Sequence, residues 1–259
     1  MATRVELPFK LTALRGLVLP LALLTWWEFE SHRDAAHTFT FVPLESIAAS
    51  FFDTLRSGDL ISNWWASVVR TLTGFLVGAG LGITLGALMI FSRWIDRLIN
   101  PIYHAIRQVP LLGWIPLISL WFGNGEYSKL FIVALASFYP TVLNTYEGLR
   151  NIDEKYISVT QVLKLTRWQV LWHVTFPNAL PGIYAGLMQA TAFAWLSSIG
   201  SEFFFNPGPG LGTMMMNGQS NFHMEIVMVT VVVISLTGFA MNTLLFRLSR
   251  RSLRWRGTR

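Results

Sequence analysis

Three long apolar stretches without a charge constrain this chain more than any other feature. Each has about the 20 residues that a helix needs to cross the hydrocarbon core of a membrane. They are Leu72–Phe91, Pro181–Ser201 and Ile226–Phe246. Of the 259 residues, 53% are hydrophobic and 13% are charged, against about 25% charged in soluble domains. These values exclude a disordered, nucleic-acid-binding or ordinary soluble protein and predict helices that span a membrane.

Three weaker segments complete a prediction of six transmembrane helices in an all-α polytopic fold. Leu130–Tyr146 is slightly short, but charged residues flank it. Leu98–Phe122 contains three prolines and two ionisable residues, so we expect a kinked span whose freed backbone groups bond to neighbouring helices. Leu14–Phe29 lacks a signal-peptide cleavage site, because Trp26 and Trp27 stand where small residues are needed. It is predicted to be an uncleaved anchor.

The segment Pro43–Trp65 has an apolar stripe but no uncharged span, which is typical of a helix lying on the outer membrane surface. We therefore expect residues 1–66 to form the anchor helix and this interfacial helix. Residues 67–259 are expected to form the core with the other five spans.

The distribution of Lys and Arg predicts the orientation of the chain. With both termini in the cytoplasm, most of the 20 basic residues lie on the cytoplasmic side, whereas the loop Asn206–Met224 has none. The net charge of +6 then reflects contact with an anionic membrane surface, and no nucleic-acid partner is expected.

The cytoplasmic segment Arg150–Leu180 is long for a connection between two helices and has a helical pattern of its own. The sequence Thr166–Gln169 is a capping box that starts a short helix. Trp168 and Trp172 share the apolar stripe of that helix. The pattern predicts a helix–turn–helix that docks a partner, and the alternative is a solvated linker.

Two predicted spans carry small residues at every fourth position, which allows close approach of another helix. In span two, Leu72–Phe91, this arrangement predicts static packing. In span five, Pro181–Ser201, the same series continues into Ser198 and Glu202, so part of it is expected either to pack or to line an aqueous path. The two series are Gly74, Gly78, Gly82, Gly86 and Gly182, Gly186, Ala190, Ala194.

Ionisable residues inside spans are costly and therefore mark candidate functional positions. Arg107, with His104 one turn before it, is expected either to line a translocation path or to reach the interface and bond to carbonyl groups freed by prolines. Glu202 is expected to lie at the interface, to line the path, or to hold the loop 206–212 through backbone N–H groups.

Several kinds of chemistry have no sequence support. The chain has no phosphate-binding GxxxxGK[ST] motif, no cysteine and no cluster with metal-ligand spacing. Its carboxylates are scattered among the loops, without a nucleophile beside a base. We therefore expect no catalytic residue, metal or cofactor in the chain.

Several motifs resemble the permease subunits of ABC importers. These are Ser67–Phe75, Ile106–Leu117 and Trp121–Glu126. The sequence Phe138-Tyr139-Pro140 and the Gly210-Leu211-Gly212 motif resemble the branch that imports nitrate, sulfonates and taurine. The resemblance extends from about Val42 to Arg256.

The resemblance implies that residues 150–180 carry the coupling helices, which sit in a groove of an ATPase subunit. The usual Glu-Ala-Ala positions correspond to Ser158, Val159 and Thr160, and the usual Gly corresponds to Lys164, so all four depart from the family pattern. Lys164 means that the turn must form without glycine. The implied coupling residues are Ser158, Val159, Thr160, Leu163, Lys164, Arg167, Trp168 and Trp172.

The resemblance also implies a type I importer permease fold in the inner membrane of a bacterium. Two copies of the chain, two ATPase subunits and a soluble substrate-binding protein on the outer face would import a small anion by alternating access. Two alternatives stay open at this point. One is a secondary transporter that works alone, and the other is a membrane scaffold that docks a cytoplasmic partner without transport.

Overall fold

The computed structural model describes residues 9–34, 40–152, 154–205 and 208–254, and every regular element in these ranges is a helix. The described residues form two compact units. One comprises the described parts of Met1–Leu60 and Met215–Val231, and the other comprises the described parts of Ile61–Met214 and Val232–Arg259. The α-helices are α1 Phe9–Ser31, α2 Leu44–Ser57, α3 Asp59–Phe91, α4 Arg93–Ile106, α5 Ile115–Phe122, α6 Glu126–Arg150, α7 Glu154–Val162, α8 Arg167–Val170, α9 Phe176–Phe204, α10 Leu211–Ser220 and α11 Met224–Ser252. A 3-10 turn (Leu111–Trp114) precedes α5, and a π-helical turn (Leu171–Thr175) joins α8 to α9.

Among the described residues, two helices are long and apolar enough to cross a membrane, namely α3 with 33 residues and α11 with 29. A third qualifies if α4 and the segment Leu111–Phe122 are counted as one bent span. Helices also cover the other predicted spans, in α1, α6 and α9. The predicted spans in α3 and α11 are confirmed, whereas the predicted number of six is not.

The segment Leu98–Phe122, which we expected to be one kinked span, is a sharply broken pair of helices. The axes of α4 and Leu111–Phe122 differ by 95°. Pro110 has no backbone N–H and keeps the residue before it out of helical conformation, so α4 cannot continue through it. Pro116, in the first turn of α5, restarts the helix.

The prediction of one surface helix over Pro43–Trp65 was wrong for the carboxyl end of that segment. Helix α2 ends at Ser57, where Gly58 adopts a left-handed conformation (φ 83°) and donates its N–H to the carbonyl oxygen of Leu55. Helix α3 starts at Asp59, so residues 59–65 belong to a spanning helix. The physical cause is the glycine, which ends one helix without the strain that a Cβ would bring.

The glycines of span two form the close helix contact that their spacing predicts, between α3 and α6. A Cβ atom added at Gly82 would lie 2.8 Å from Cβ of Thr141. One added at Gly86 would lie 2.8 Å from the carbonyl oxygen of Val142. Since neither contact is possible without movement of a helix, glycine sets the distance between α3 and α6.

The small residues of span five lie in helix packing as well. A Cβ atom at Gly182 would lie 2.9 Å from Cα of Gly148, and one at Gly186 would lie 2.7 Å from Cβ of Asn144. Both neighbours belong to α6. Further along the stripe, Ala190 and Ala194 are completely buried. Helix α6 is therefore in close contact with α3 and with α9.

Candidate functional site

A cavity of about 350 Å³ lies where α4 ends and the chain breaks before Pro110. The end of α4, the break itself and the middle parts of α6 and α9 form its wall. Its lining residues are Tyr103, Arg107, Gln108, Val109, Pro110, Leu111, Ala136, Tyr139, Pro140, Leu143, Gln189 and Phe193. The sequence predicted a kink here, but only the structure shows that the kink opens a cavity.

Among the described residues that line the cavity, Arg107 is the only one with a cationic side chain. Its guanidinium carbon lies 5.8 Å from the centre of the Tyr103 ring, which is a cation–π contact. In the part of the chain that the structure describes, no carboxylate lies within ion-pair distance of Arg107. Its positive charge is therefore not neutralised by another side chain there.

Other polar groups in the wall are also able to donate hydrogen bonds. The hydroxyl group of Tyr139 is buried and has no hydrogen-bond partner among the described residues. The side-chain oxygen of Gln189 accepts a hydrogen bond from Asn144 at 3.2 Å, which leaves the NH2 group of Gln189 to donate. The cavity thus combines one cation with donors, a combination that suits a negatively charged ligand with oxygen acceptors.

Of the four predicted path residues, only Arg107 lines this cavity. His104 is exposed and contacts the ring of Tyr103. Ser198 and Glu202 are buried, with 0% and 1% of their surface exposed. Glu202 instead takes part in a network of charges at the far end of α9.

This network, the charge cluster, consists of Arg70, Glu126, Lys129 and Glu202. Arg70 of α3 donates to Glu202 of α9 and, at 3.0 Å, to Glu126 of α6. The side chains of Arg70, Lys129 and Glu202 are at most 2% exposed, whereas that of Glu126 is half exposed. Lys129 Nζ lies 4.0 Å from Glu126 and has no hydrogen-bond partner among the described residues. The cluster joins three helices by buried charges.

Glu202 of the charge cluster and two polar side chains of α3 hold the segment that leads into α10. Three successive N–H groups, of Gly210, Leu211 and Gly212, donate to the side chains of Asn63 (2.7 Å), Ser67 (2.9 Å) and Glu202 (2.6 Å) respectively. These side chains thus accept hydrogen bonds from the backbone N–H groups at the start of α10, which have no acceptor within the helix. The expected hold of Glu202 on this loop is confirmed at Gly212. Asn206 and Pro207 lie outside the described residues.

Sequence reasoning gave no role to Arg70, which lies within the family-like motif Ser67–Phe75, or to Lys129, which flanks the predicted span Leu130–Tyr146. Glu126 appeared only at the end of a family-like motif. Arg70 and Glu202 are 132 residues apart, and no periodicity connects them. The available signal was chemical, because a buried arginine at the edge of an apolar span requires a carboxylate partner.

The predicted helix–turn–helix between α6 and α9 is present, and its turn has a defined geometry. The N–H of Lys164 donates to the carbonyl of Gln161 and that of Leu165 to the carbonyl of Thr160, both at 3.1 Å. This pair of bonds is a Schellman motif, which needs a left-handed residue at the position of Lys164. Lys164 has φ of 50°, so it adopts the conformation that glycine usually supplies.

The second helix of the element begins with the predicted capping box. The backbone N–H of Thr166 donates to the side chain of Gln169 at 2.9 Å, and the N–H of Gln169 donates to the Thr166 hydroxyl at 3.4 Å. From Arg167 the chain is helical without interruption to Phe204, through α8, the π-helical turn and α9. The short helix is therefore a direct extension of predicted span five.

Three aromatic rings form a row along this extension, and we call it the aromatic row. The ring centres of Trp168 and Trp172 are 5.8 Å apart, and those of Trp172 and Phe176 are 5.6 Å apart. Their exposed fractions are 68%, 50% and 40%. Among the family-like positions, Ser158, Val159 and Leu163 are exposed and Thr160 is buried, while the side chain of Arg167 lies outside the described part. An exposed aromatic row of this kind is typical of a contact surface.

Comparison with known proteins gives one consistent result. Residues 78–255 match the family described as "Binding-protein-dependent transport system inner membrane component". The putative aliphatic sulfonates transport permease protein SsuC of Bacillus subtilis is 30% identical, over 95% of this chain and 88% of that protein. The bicarbonate transport system permease protein CmpB of Synechococcus elongatus is 27% identical, over 93% of this chain and 91% of that protein. The crystal structure of an amino acid ABC transporter with histidines has a TM-score of 0.65 at 20% identity, over 78% of this chain and 98% of that chain.

Proposed function

We propose that this chain, which belongs to the family of binding-protein-dependent transport system inner membrane components, passes a small oxyanion through the cavity beside Arg107. It is a permease subunit of an ABC importer, with the all-α type I permease fold. Partner subunits hydrolyse ATP, and a substrate-binding protein delivers the solute. Family membership favours this function over a secondary transporter or a scaffold without transport.

The observation that supports the proposed substrate is the uncompensated charge of Arg107 in the cavity wall. A charge that is partly removed from water is costly unless an opposite charge approaches it. A bound oxyanion supplies that charge and accepts hydrogen bonds from the guanidinium, from the amide of Gln189 and from the hydroxyl of Tyr139. An organic cation would be repelled at the same position.

The names of the relatives agree with this chemistry. Aliphatic sulfonates and bicarbonate, the solutes named for two of them, are both oxyanions. The volume of about 350 Å³ suits a solute of a few heavy atoms, with apolar wall residues such as Leu143 and Phe193 for an aliphatic part. We therefore propose an alkylsulfonate as the first solute to test, with bicarbonate and nitrate as the alternatives.

The assembly that we propose contains two copies of this chain, two ATPase subunits and one binding protein. Both termini lie in the cytoplasm, in agreement with Arg250 and Arg251 in the last turn of α11. Residues 1–66 form an anchor and surface region, and residues 67–259 form the core. The coupling element, residues 150–180, binds the ATPase subunits through the aromatic row and the exposed side chains of α7.

Uptake by the complete complex in lipid vesicles tests the role of Arg107. We expect Arg107→Gln to reduce uptake of a labelled alkylsulfonate by about tenfold or more, because one charge-assisted hydrogen bond contributes about 1.5–3 kcal/mol. Arg97→Gln is the matched control, since Arg97 is an exposed arginine on α4, the helix that Arg107 directly follows. Uptake at the wild-type rate by Arg107→Gln, with an intact complex, would contradict the proposed role.

A further inference from the structure

The charge cluster is a neutral and mostly buried group of two cations and two carboxylates. It joins the first part of α3 (Arg70), the first turn of α6 (Glu126, Lys129) and the last turn of α9 (Glu202). Removing such charges from water costs several kcal/mol per ion, so a buried ion pair is weak evidence for stability. Fixing one arrangement of the elements it joins is the better-supported role for such a group.

The segment from Pro209 to Gly212 bonds to this group at both ends, and in between it bonds to Asn63 and Ser67 of α3. The carbonyl oxygen of Pro209 accepts a hydrogen bond from Arg70 at 3.1 Å, in addition to the three backbone N–H bonds of residues 210–212. A Cβ atom at Gly210 would lie 2.5 Å from Cδ of Glu202, and one at Gly212 would lie 2.5 Å from the carbonyl oxygen of Ile199. Both glycines are thus required for the segment to lie this close to α9.

The charge cluster and the coupling element lie at opposite ends of α6. This helix begins with the cluster residue Glu126 and ends at Arg150, directly before the coupling element. Its 25 residues span about 37 Å, the thickness of a membrane core with part of its interfaces. Helix α9 connects the same two regions, because it starts after the π-helical turn of the coupling element and ends at Phe204, close to the cluster residue Glu202. If the coupling element contacts the ATPase, the cluster lies on the side from which the binding protein approaches.

We propose that Arg70 and Glu202 form a clamp that keeps the segment 209–212, the first part of α3, the first turn of α6 and the last turn of α9 together as one rigid body throughout the transport cycle. This rigid body is the surface to which the loaded binding protein docks. The conformational change of the transport cycle therefore occurs outside this rigid body, at the broken pair α4–α5 and around the cavity. Arg70 and Glu202 act as positioning residues, because both are buried and neither lines the cavity beside Arg107. The inference rests on the proposed function, since it needs a binding protein and an ATPase.

A reversible cross-link tests whether the clamp stays closed. The chain has no cysteine, so Ser67→Cys/Leu211→Cys places the only thiol pair where the Leu211 N–H now lies 2.9 Å from the Ser67 hydroxyl. The same purified complex is measured before oxidation, after oxidation and after reduction. We expect the oxidised complex to show the same uptake and binding-protein-stimulated ATP hydrolysis as the reduced complex of the same variant. A loss on oxidation that reduction reverses would show that the segment must leave α3, and would overturn the proposal.

A charge-neutralising variant tests whether the clamp serves docking. For Glu202→Gln we expect the concentration of loaded binding protein at half-maximal ATPase stimulation to rise about tenfold, within the usual range of coupling between distant sites. The maximal stimulated rate should change much less, whereas a purely structural defect would lower that rate. The control Asp53→Asn removes an exposed carboxylate. An unchanged concentration dependence in Glu202→Gln would overturn the proposal.

Different results would overturn the proposed function and the clamp. If the wild-type chain binds no ATPase subunit or transports no solute with its binding protein, the proposed function fails. Two results would overturn only the clamp, provided that the wild-type complex transports normally. One is loss of activity in the oxidised double-cysteine complex, and the other is an unchanged concentration dependence on the binding protein in Glu202→Gln. Should Glu202→Gln not assemble, the cross-linked variant still decides the matter, because its oxidised and reduced forms are the same protein.

Discussion

Leu165 donates its backbone N–H to the carbonyl oxygen of Thr160, 3.1 Å away, and this bond closes α7 around the left-handed residue Lys164. The bond fixes the direction in which the chain enters the capping box of Thr166 and Gln169. The two halves of the coupling element are therefore held at one angle by backbone hydrogen bonds. That angle does not depend on the family's usual glycine.

The left-handed conformation of Lys164 predicts that Lys164→Gly stabilises the turn. A non-glycine residue pays about 1–2 kcal/mol there, partly offset by the greater freedom of glycine in the unfolded chain. We expect a net gain of roughly 0.5–1 kcal/mol, seen as slower hydrogen exchange at the Leu165 amide. Gln161→Gly is the control and should speed exchange, since glycine costs about 1 kcal/mol inside a helix. Faster exchange in Lys164→Gly would contradict the assignment.

Two glycines that lie two residues apart in α3 provide a matched test of helix packing. Gly82 contacts α6, whereas a Cβ atom at Gly80 would meet nothing within 4 Å. We expect Gly82→Ala to lower the thermal midpoint of the purified complex by several degrees, because overpacking costs about 1–3 kcal/mol. Gly80→Ala should leave it unchanged or raise it slightly, since alanine favours helix. Equal effects of the two variants would mean that α3 and α6 are not in close contact.

Local patterns in the sequence predicted the local parts of this structure. The capping box at Thr166 and the glycine series of α3 depend on neighbours three or four residues away, so they can be read from spacing alone. The three prolines of Leu98–Phe122 predicted a kink, but the position of the break before Pro110 and its angle depend on packing, such as the bond from the Tyr103 hydroxyl to the carbonyl of Tyr139. The pairing of Arg70 with Glu202 depends on the complete fold and has no local signal.

His32 follows α1 and carries a pH-dependent contact. The backbone carbonyl of Glu28 lies 3.0 Å from the His32 ring and, with the carboxylates of Glu28 and Glu45, raises the pKa of His32 above 6.5. The folded state thus favours protonated His32. The stabilisation is complete below the unfolded pKa and is lost as the pH rises through the folded value.

Titration of isotope-labelled histidine by NMR measures this effect. We expect the midpoint for His32 to lie above 6.5 and to fall in Glu45→Gln, which removes the carboxylate 3.7 Å from Nε2. Glu30→Gln removes a neighbouring carboxylate that pairs with Arg33 and should have the smaller effect. A midpoint that does not move in Glu45→Gln would show that Glu45 makes no contribution.

The aromatic row predicts where the ATPase subunit binds most strongly. Exposed tryptophans that become buried in an interface commonly contribute about 2 kcal/mol or more each, so Trp168→Ala and Trp172→Ala should each weaken ATPase binding by roughly thirtyfold. The affinity is measured by titrating the purified ATPase onto the permease in nanodiscs.

Trp94→Ala is the control for these variants, because Trp94 is 83% exposed but lies on α4, outside the coupling element. We expect it to bind the ATPase with wild-type affinity. The two tryptophans of the row stand on a helix continuous with α9, so a change in their contact with the ATPase reaches α9 directly. If all three variants bind equally well, the ATPase contacts another part of the chain and the aromatic row faces lipid.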